Sequence, residues 1–118
     1  MTGSRLQTCA QSRVERIAAL NDKLRTTGVG GQLMLTAGIR ALPETQIGAL
    51  LHAMRLQRDF SGHDDPYGEH DMGTVRLGEH KAFWKIDYYD PDLAYGSPDP
   101  ADPTVTRRVL TLMLASEY

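Results

Sequence analysis

Apolar residues recur at intervals of three and four from Leu6 through Ala10, Val14, Ile17, Leu20 and Leu24, a spacing that predicts one stripe of an α-helix ending near Thr26. Gly28, Gly30 and Gly31 stop it. The next pattern alternates. In Gln32-Leu-Met-Leu-Thr36, Leu33 and Leu35 fall on one face and Met34 on the other, which predicts a short strand. Pro43 stands where a first helical turn tolerates it, and Glu44 suits the positive end of the helix dipole. A second helix is therefore expected over about 43–57, with Ile47, Leu50, Leu51 and Met54 buried and with His52 and Arg55 facing solvent.

From Tyr67 to Asp90 the alternation returns, with β-branched and aromatic residues separated by polar ones on both sides of Gly78-Glu79. This predicts a β-hairpin of strands 72–77 and 81–89. A two-residue turn at Gly78-Glu79 pairs Leu77 with His80, Val75 with Ala82, Gly73 with Trp84, Asp71 with Ile86 and His70 with Asp87. Trp84 then covers the bare backbone of Gly73, a physical reason for a glycine in mid-strand. Ala82, Trp84, Ile86 and Tyr88 share the core face with Val75. Farther on, Asp102 and Pro103 read as the cap and first turn of a last helix running almost to Tyr118, with Val105, Val109, Leu112 and Met113 as its stripe. The order is α-β-α-β-β-α. It implies a single α+β domain over 1–118, a small antiparallel sheet of about three strands packed against about three helices.

Size and composition support a domain that folds alone. A chain of 118 residues buries roughly two thirds of its unfolded surface. Charged residues at 24% and apolar ones at 41% argue against disorder and against a membrane protein. Cys9 is the only cysteine, so an internal disulfide is excluded and a reducing cytoplasm is the expected compartment. The polar start carries no apolar signal-peptide core, and no stretch is long enough to span a bilayer.

The net charge of −2 conceals a split, +5 over residues 1–58 and −7 over 59–118. On the first helix Arg13, Arg16, Lys23 and Arg25 read as a solvated face, with nucleic-acid binding as the lesser alternative. Gly28-Val29-Gly30-Gly31 is not a phosphate loop. It follows a helix and precedes a strand, whereas nucleotide loops follow a strand and open a helix, so that backbone N–H groups point at the phosphate.

Candidate chemistry gathers at the open end of the hairpin. A long polar connection, 58–71, leads into it, and 90–103 leaves it with four prolines and four aspartates over that span. His70 across from Asp87 could be a general base with its orienting carboxylate, or simply an ion pair closing the hairpin. His63, Asp65, His70 and Asp71 could supply a mixed nitrogen and oxygen site for a divalent metal, although no cofactor is required by any motif. Asp64, Asp65, Glu69, Asp71, Asp90 and Asp92, with Tyr89 beside them, could instead form one acidic binding surface for a basic protein partner, a surface that repels nucleic acid.

The strings Gly68-Glu-His-Asp-Met-Gly, Phe83-Trp-Lys-Ile-Asp-Tyr-Tyr-Asp and Leu93-Ala-Tyr-Gly-Ser-Pro-Asp-Pro-Ala-Asp-Pro, running into Arg108-Val-Leu-Thr-Leu-Met-Leu-Ala-Ser-Glu-Tyr, resemble the bacterial family known as domain of unknown function 3768. The first helix, Arg16-Ile-Ala-Ala-Leu-Asn-Asp-Lys-Leu-Arg, resembles it too; Met72 stands where that family leads one to expect Phe. The resemblance implies an alphaproteobacterial protein often carried on plasmids and other mobile elements. No catalytic residues can be carried over from that family. Together these readings predict a cytoplasmic, non-enzymatic accessory protein of a mobile element, with an anti-defence role in view, that binds a basic protein surface through loops 59–71 and 90–102. The alternative is a small metal-assisted hydrolase built on the His/Asp cluster.

Overall fold

The computed structural model describes residues 12–60 and 65–118. Helix α1 spans Arg13–Thr27 and opens on Ser12, whose side chain accepts a bond from the Glu15 backbone N–H. Ser12-Arg-Val-Glu15 is thus a capping sequence, satisfying a donor that the first helical turn leaves free. Leu6 and Ala10, expected on the same helix, lie outside the described residues. Strand β1, Gly31–Leu35, follows, then a single helical turn α2, Ala37–Arg40, and helix α3, Glu44–Leu56, which starts directly after Pro43.

The hairpin forms as its residue pattern predicts. Strands β2, Met72–Leu77, and β3, His80–Tyr89, pair antiparallel with Leu77 opposite His80, Val75 opposite Ala82 and Gly73 opposite Trp84. Gly78 takes φ +57° at the first turn position, a backbone state that a residue with a Cβ adopts only under strain.

The last element is corrected. In place of a helix over 103–118, a short 3-10 turn at Pro103–Val105 leads into strand β4, Arg107–Leu114, and the chain ends on a second 3-10 turn, Ala115–Glu117. Asp102 does cap Thr104, at 2.9 Å, but what it caps is a single turn. Strand β4 lies between β1 and β3, so the sheet has four strands in the order β1-β4-β3-β2, with β1 parallel to β4 and the other pairs antiparallel. Such a central strand is covered on both sides. Arg108, Leu110 and Leu112 are buried on one face while Met113 is buried on the other, and a strand apolar on both faces satisfies a helical template as readily as a strand template.

The core sits between the helices and the Trp84 face of the sheet. Leu24 of α1, Ile39 of α2, and Leu50 and Met54 of α3 pack with Val75, Ala82, Trp84, Ile86, Leu110 and Leu112. Trp84 is fully buried, and its indole N–H donates to Gln57 Oε1 at 2.9 Å, which satisfies the one polar atom it brings inside. A Cβ on Gly73 would fall 2.5 Å from the indole nitrogen and 2.6 Å from that Gln57 oxygen, whereas one on Gly48, within α3, meets nothing within 4 Å. Two glycine-to-alanine changes should therefore have opposite signs. Gly73→Ala is expected to lose about 1–3 kcal/mol by forcing the indole out of place, and Gly48→Ala to gain about 0.5–1 kcal/mol from helix propensity. Urea denaturation followed by Trp84 fluorescence checks both, and equal effects at the two positions would refute the packing described.

Candidate functional site

Helix α1 buries a stripe made of Ile17, Ala18, Asn21, Leu24 and Arg25. Two of these five are polar, four residues apart on the same face, and each anchors one cluster of side chains at the open end of the hairpin. Arg25 was expected on a solvated face with Arg13, Arg16 and Lys23. Those three are exposed, but Arg25 is only 3% accessible, because backbone carbonyls beyond the helix receive it.

The first cluster is centred on Asn21, which is fully buried. Its Oδ1 accepts from Arg108 Nε at 2.7 Å, and its Nδ2 donates to the Tyr88 hydroxyl at 2.8 Å and to the Glu69 carbonyl at 3.0 Å. The Tyr88 hydroxyl in turn donates to the Glu69 carboxylate at 3.0 Å. Arg108 reaches the Pro100 carbonyl with Nη2 and lies over the Tyr88 ring at 5.2 Å. Burial pushes the Tyr88 phenol well above its ordinary range, opposed by the Asn21 bond, so it acts as a neutral donor and acceptor throughout the biological pH range. Burial also lowers the Arg108 guanidinium from its usual value, with Tyr88 and Glu69 opposing. The network joins β4, β3, α1, the 65–71 connection and the 97–102 connection. The last two also close on the start of α1, where Arg13 pairs with Asp99 at 3.0 Å and Gly68 lies beside Val14.

The second cluster holds His70. Its φ of +56° is rare for a residue with a Cβ, and Asp65 fixes it by accepting the His70 backbone N–H at 3.1 Å. The ring stacks on Phe60, with centroids 4.1 Å apart and planes 6° from parallel. Nδ1 meets both carboxylate oxygens of Asp22 at 3.0 Å, and Nε2 faces Asp65 at 3.8 Å. Arg25 completes the group, donating to Asp22 at 3.2 Å and to the Met54 carbonyl at 2.7 Å while lying over Phe60 and Trp84.

The pairing of His70 with Asp87 is therefore corrected to Asp22. The ladder ends at Met72 opposite Lys85, extended only by the Ile86 N–H donating to the Asp71 carbonyl at 2.7 Å. At His70 the positive φ turns the chain out of the strand. Asp87 pairs with Lys85 Nζ at 3.2 Å.

The remaining expected positions divide by environment. His63 and Asp64 lie outside the described residues. Asp65 is buried and turned inward on His70, and Glu69 is held by Tyr88. Asp90 accepts from the backbone N–H groups of Ala94 and Tyr95, which makes it a turn residue. Asp92 is exposed, and Tyr89 sits half-buried in a bridge to Gly96. Asp71 is half-buried; burial first, then the nearby Glu69 charge, raises its carboxyl above the ordinary value. Among the described residues no group of three or more His, Cys, Asp or Glu side chains could hold a metal ion, so Asp65, His70 and Asp71 do not by themselves make the metal site expected of them. No helix among the described residues is long and apolar enough to cross a membrane.

Sequence reasoning missed Asn21, Asp22, Phe60 and Arg108 and read Arg25 as solvated. One signal was present: Asn21 and Arg25 fall on the helical stripe of Ile17 and Leu24, and polar residues in a buried stripe need specific partners.

Fold and site together define a small α+β protein whose two long connections are tied down at one end by buried polar clusters. It belongs to the family described as "Protein of unknown function (DUF3768)", whose model matches residues 35–117. The match starts at Leu35, the last residue of β1, so α1 with its buried anchors and the rest of β1 precede it. No curated protein and no solved structure matches the chain.

Removing the Asn21 side chain should leave the Arg108 guanidinium and the Glu69 carbonyl without their buried partner. Asn21→Ala is expected to cost about 1–3 kcal/mol, read as a shift of the urea midpoint at unchanged slope. A change within error would refute the network's role. Asp71 yields a pH signature. Its folded-state carboxyl binds protons more tightly than the unfolded chain, so its ionisation erodes stability as pH rises from the unfolded value of 3.8 through the raised folded one. Asp71→Asn should match the parent at the acidic end of that window and be more stable than it at neutral pH. Paired thermal melts across the window give the difference curve, and a flat curve contradicts the assignment.

Proposed function

We propose that this chain is a non-enzymatic interaction protein that engages a basic protein surface through the end of the molecule where the 59–71 and 90–102 connections meet. The family resemblance adds the setting: an accessory role for a mobile genetic element in a bacterial cytoplasm, with shielding from host defence as one such role. The single observation that carries the reading is the bridge Glu69–Tyr88–Asn21–Arg108–Pro100, which ties both connections to one scaffold. Residues tied down in this way, 65–71 and 97–102 among those described, lose less conformational freedom on binding. They also leave side chains suited to an interface. Tyr67 and Tyr95 are each 77% exposed, and Leu93 and Asp92 are exposed beside Tyr95; tyrosine contributes large contact area at low entropic cost.

Most carboxylates of this end are occupied within the fold, several of them by partners that bring no positive charge. Asp90 and Asp102 accept from neutral backbone N–H groups, and Glu69 accepts from a neutral phenol. Only the field, not a set of free carboxylates, would draw a basic partner in, so attraction should act chiefly on encounter and fall with salt.

The test is affinity capture from host lysate with the parent chain and with Tyr67→Ala/Tyr95→Ala. The double substitution should cut recovery of any specifically retained protein by at least about tenfold, and raising the ionic strength should lower it further. Recovery indifferent to both changes would end this reading.

A further inference from the structure

A second surface lies beside His70, in a cleft of about 290 Å³ between the last turns of α1 and the segment that leaves α3. It is lined by Arg25, Arg55, Arg58, His70, Thr26 and Asp22, among others. We infer that this cleft binds the phosphoryl group of a small phosphorylated ligand.

Charge is the first reason. Three guanidinium groups and an imidazole converge on a cleft that contains one carboxylate, in a chain whose net charge is −2. That carboxylate, Asp22, is shared between Arg25 at 3.2 Å and His70 at 3.0 Å, so its charge is spent on residues already there. Arg55 and Arg58 are exposed and have no carboxylate partner among the described residues. Guanidiniums that line one cleft without a carboxylate of their own are drawn to an anion placed between them.

Preorganisation is the second. Arg25 is not a mobile surface cation. Its Nη1 donates to the Met54 and Arg55 carbonyls at 2.7 and 3.3 Å, and its plane lies over Phe60 at 5.1 Å and Trp84 at 5.4 Å. Those carbonyls belong to the final turn of α3, whose exposed oxygens would otherwise present the negative end of the helix to an anion. Arg25 covers that end. Its Nε is buried without a hydrogen-bond partner among the described residues, a donor left unspent beside the cleft.

Size and geometry select the ligand class. About 290 Å³ stands at the lower limit of small-molecule sites, which suits a phosphomonoester rather than a long chain. Guanidinium groups pair with phosphate oxygens through two parallel N–H bonds, so a dianionic tetrahedral group offers Arg55 and Arg58 a two-oxygen pair each, which the two oxygens of one carboxylate cannot do for both at once. Both faces of this inference are independent of the acidic end described above: its failure leaves that reading intact, and the reverse.

The experiment is an amide-detected NMR titration of the full chain with inorganic phosphate and with glycerol phosphate, against acetate at equal ionic strength. Both phosphates should shift the resonances of Thr26, Gln57, Phe60 and His70 with saturation in the low millimolar range, and acetate should not. Arg55→Gln/Arg58→Gln, which touches only exposed side chains, should keep the parent melting temperature and lose at least about tenfold in phosphate affinity. Absence of saturable shifts at these residues overturns the inference. So do equal shifts with acetate, or an affinity unchanged in the double variant.

Discussion

The structure depends on one buried contact, the 2.7 Å bond from Arg108 to Asn21. Strand β4 sends a guanidinium into the face of the sheet that carries the core, where a cation without acceptors is costly. Two acceptors meet it, the Asn21 amide oxygen from α1 and the Pro100 carbonyl from the connection between β3 and β4, with the Tyr88 ring beneath. Each partner is held in turn by something else. Asn21 is fully committed to three bonds, and Tyr88 bridges it to Glu69. A helix, a central strand and two long connections are therefore placed relative to one another by polar geometry, which is directional, where apolar packing alone would tolerate sliding.

One turn further along the same helix face, Arg25 repeats the device for the other side of the hairpin end. It crosses to the final carbonyls of α3, covers Trp84 and Phe60, and shares Asp22 with His70. The stacked Phe60 and His70 rings close the core over the indole, with Phe60 edge-on to Trp84 at 6.0 Å. Trp84, Gln57 and Gly73 form the hinge between this cluster and the sheet: the indole needs the glycine for space and the glutamine for its N–H. Helix α1 thus organises both ends of the function proposed for this chain, an acidic, tyrosine-bearing end ordered through Asn21 and a cationic cleft ordered through Arg25. The connections that Asn21 ties together come from the negative half of the sequence, and α1 with the end of α3, from the positive half, supplies most of the cleft.

The hairpin register was legible to the residue because a two-residue turn sets it and a glycine opposite a tryptophan marks one pair; both signals lie within twelve positions of each other. The stripe of α3 was legible for the same reason, being periodic and local. Strand β4 was not. Its alternation of Arg108, Leu110 and Leu112 is overlaid by Val109 and Met113 on the opposite face, so spacings of three and four appear where the backbone repeats every two. The expected antiparallel sheet of about three strands gave way with it to a mixed sheet of four, since β1 finds its place, in parallel, only beside β4.

The site divides along the same line. His70, Asp65, Glu69 and Asp71 could be singled out from composition, because polar residues crowded before a strand stand out in the text. Their partners could not, because Asp22 is 48 positions from His70, Met54 is 29 from Arg25, and Asn21 is 87 from Arg108. The amino-acid order alone determined what short-range sterics and periodicity decide, namely which segments bend, which pair through a tight turn and which face of a helix is apolar. Only the tertiary structure decided which charge meets which, since a buried ion or amide takes its partner from whatever the completed core leaves within reach.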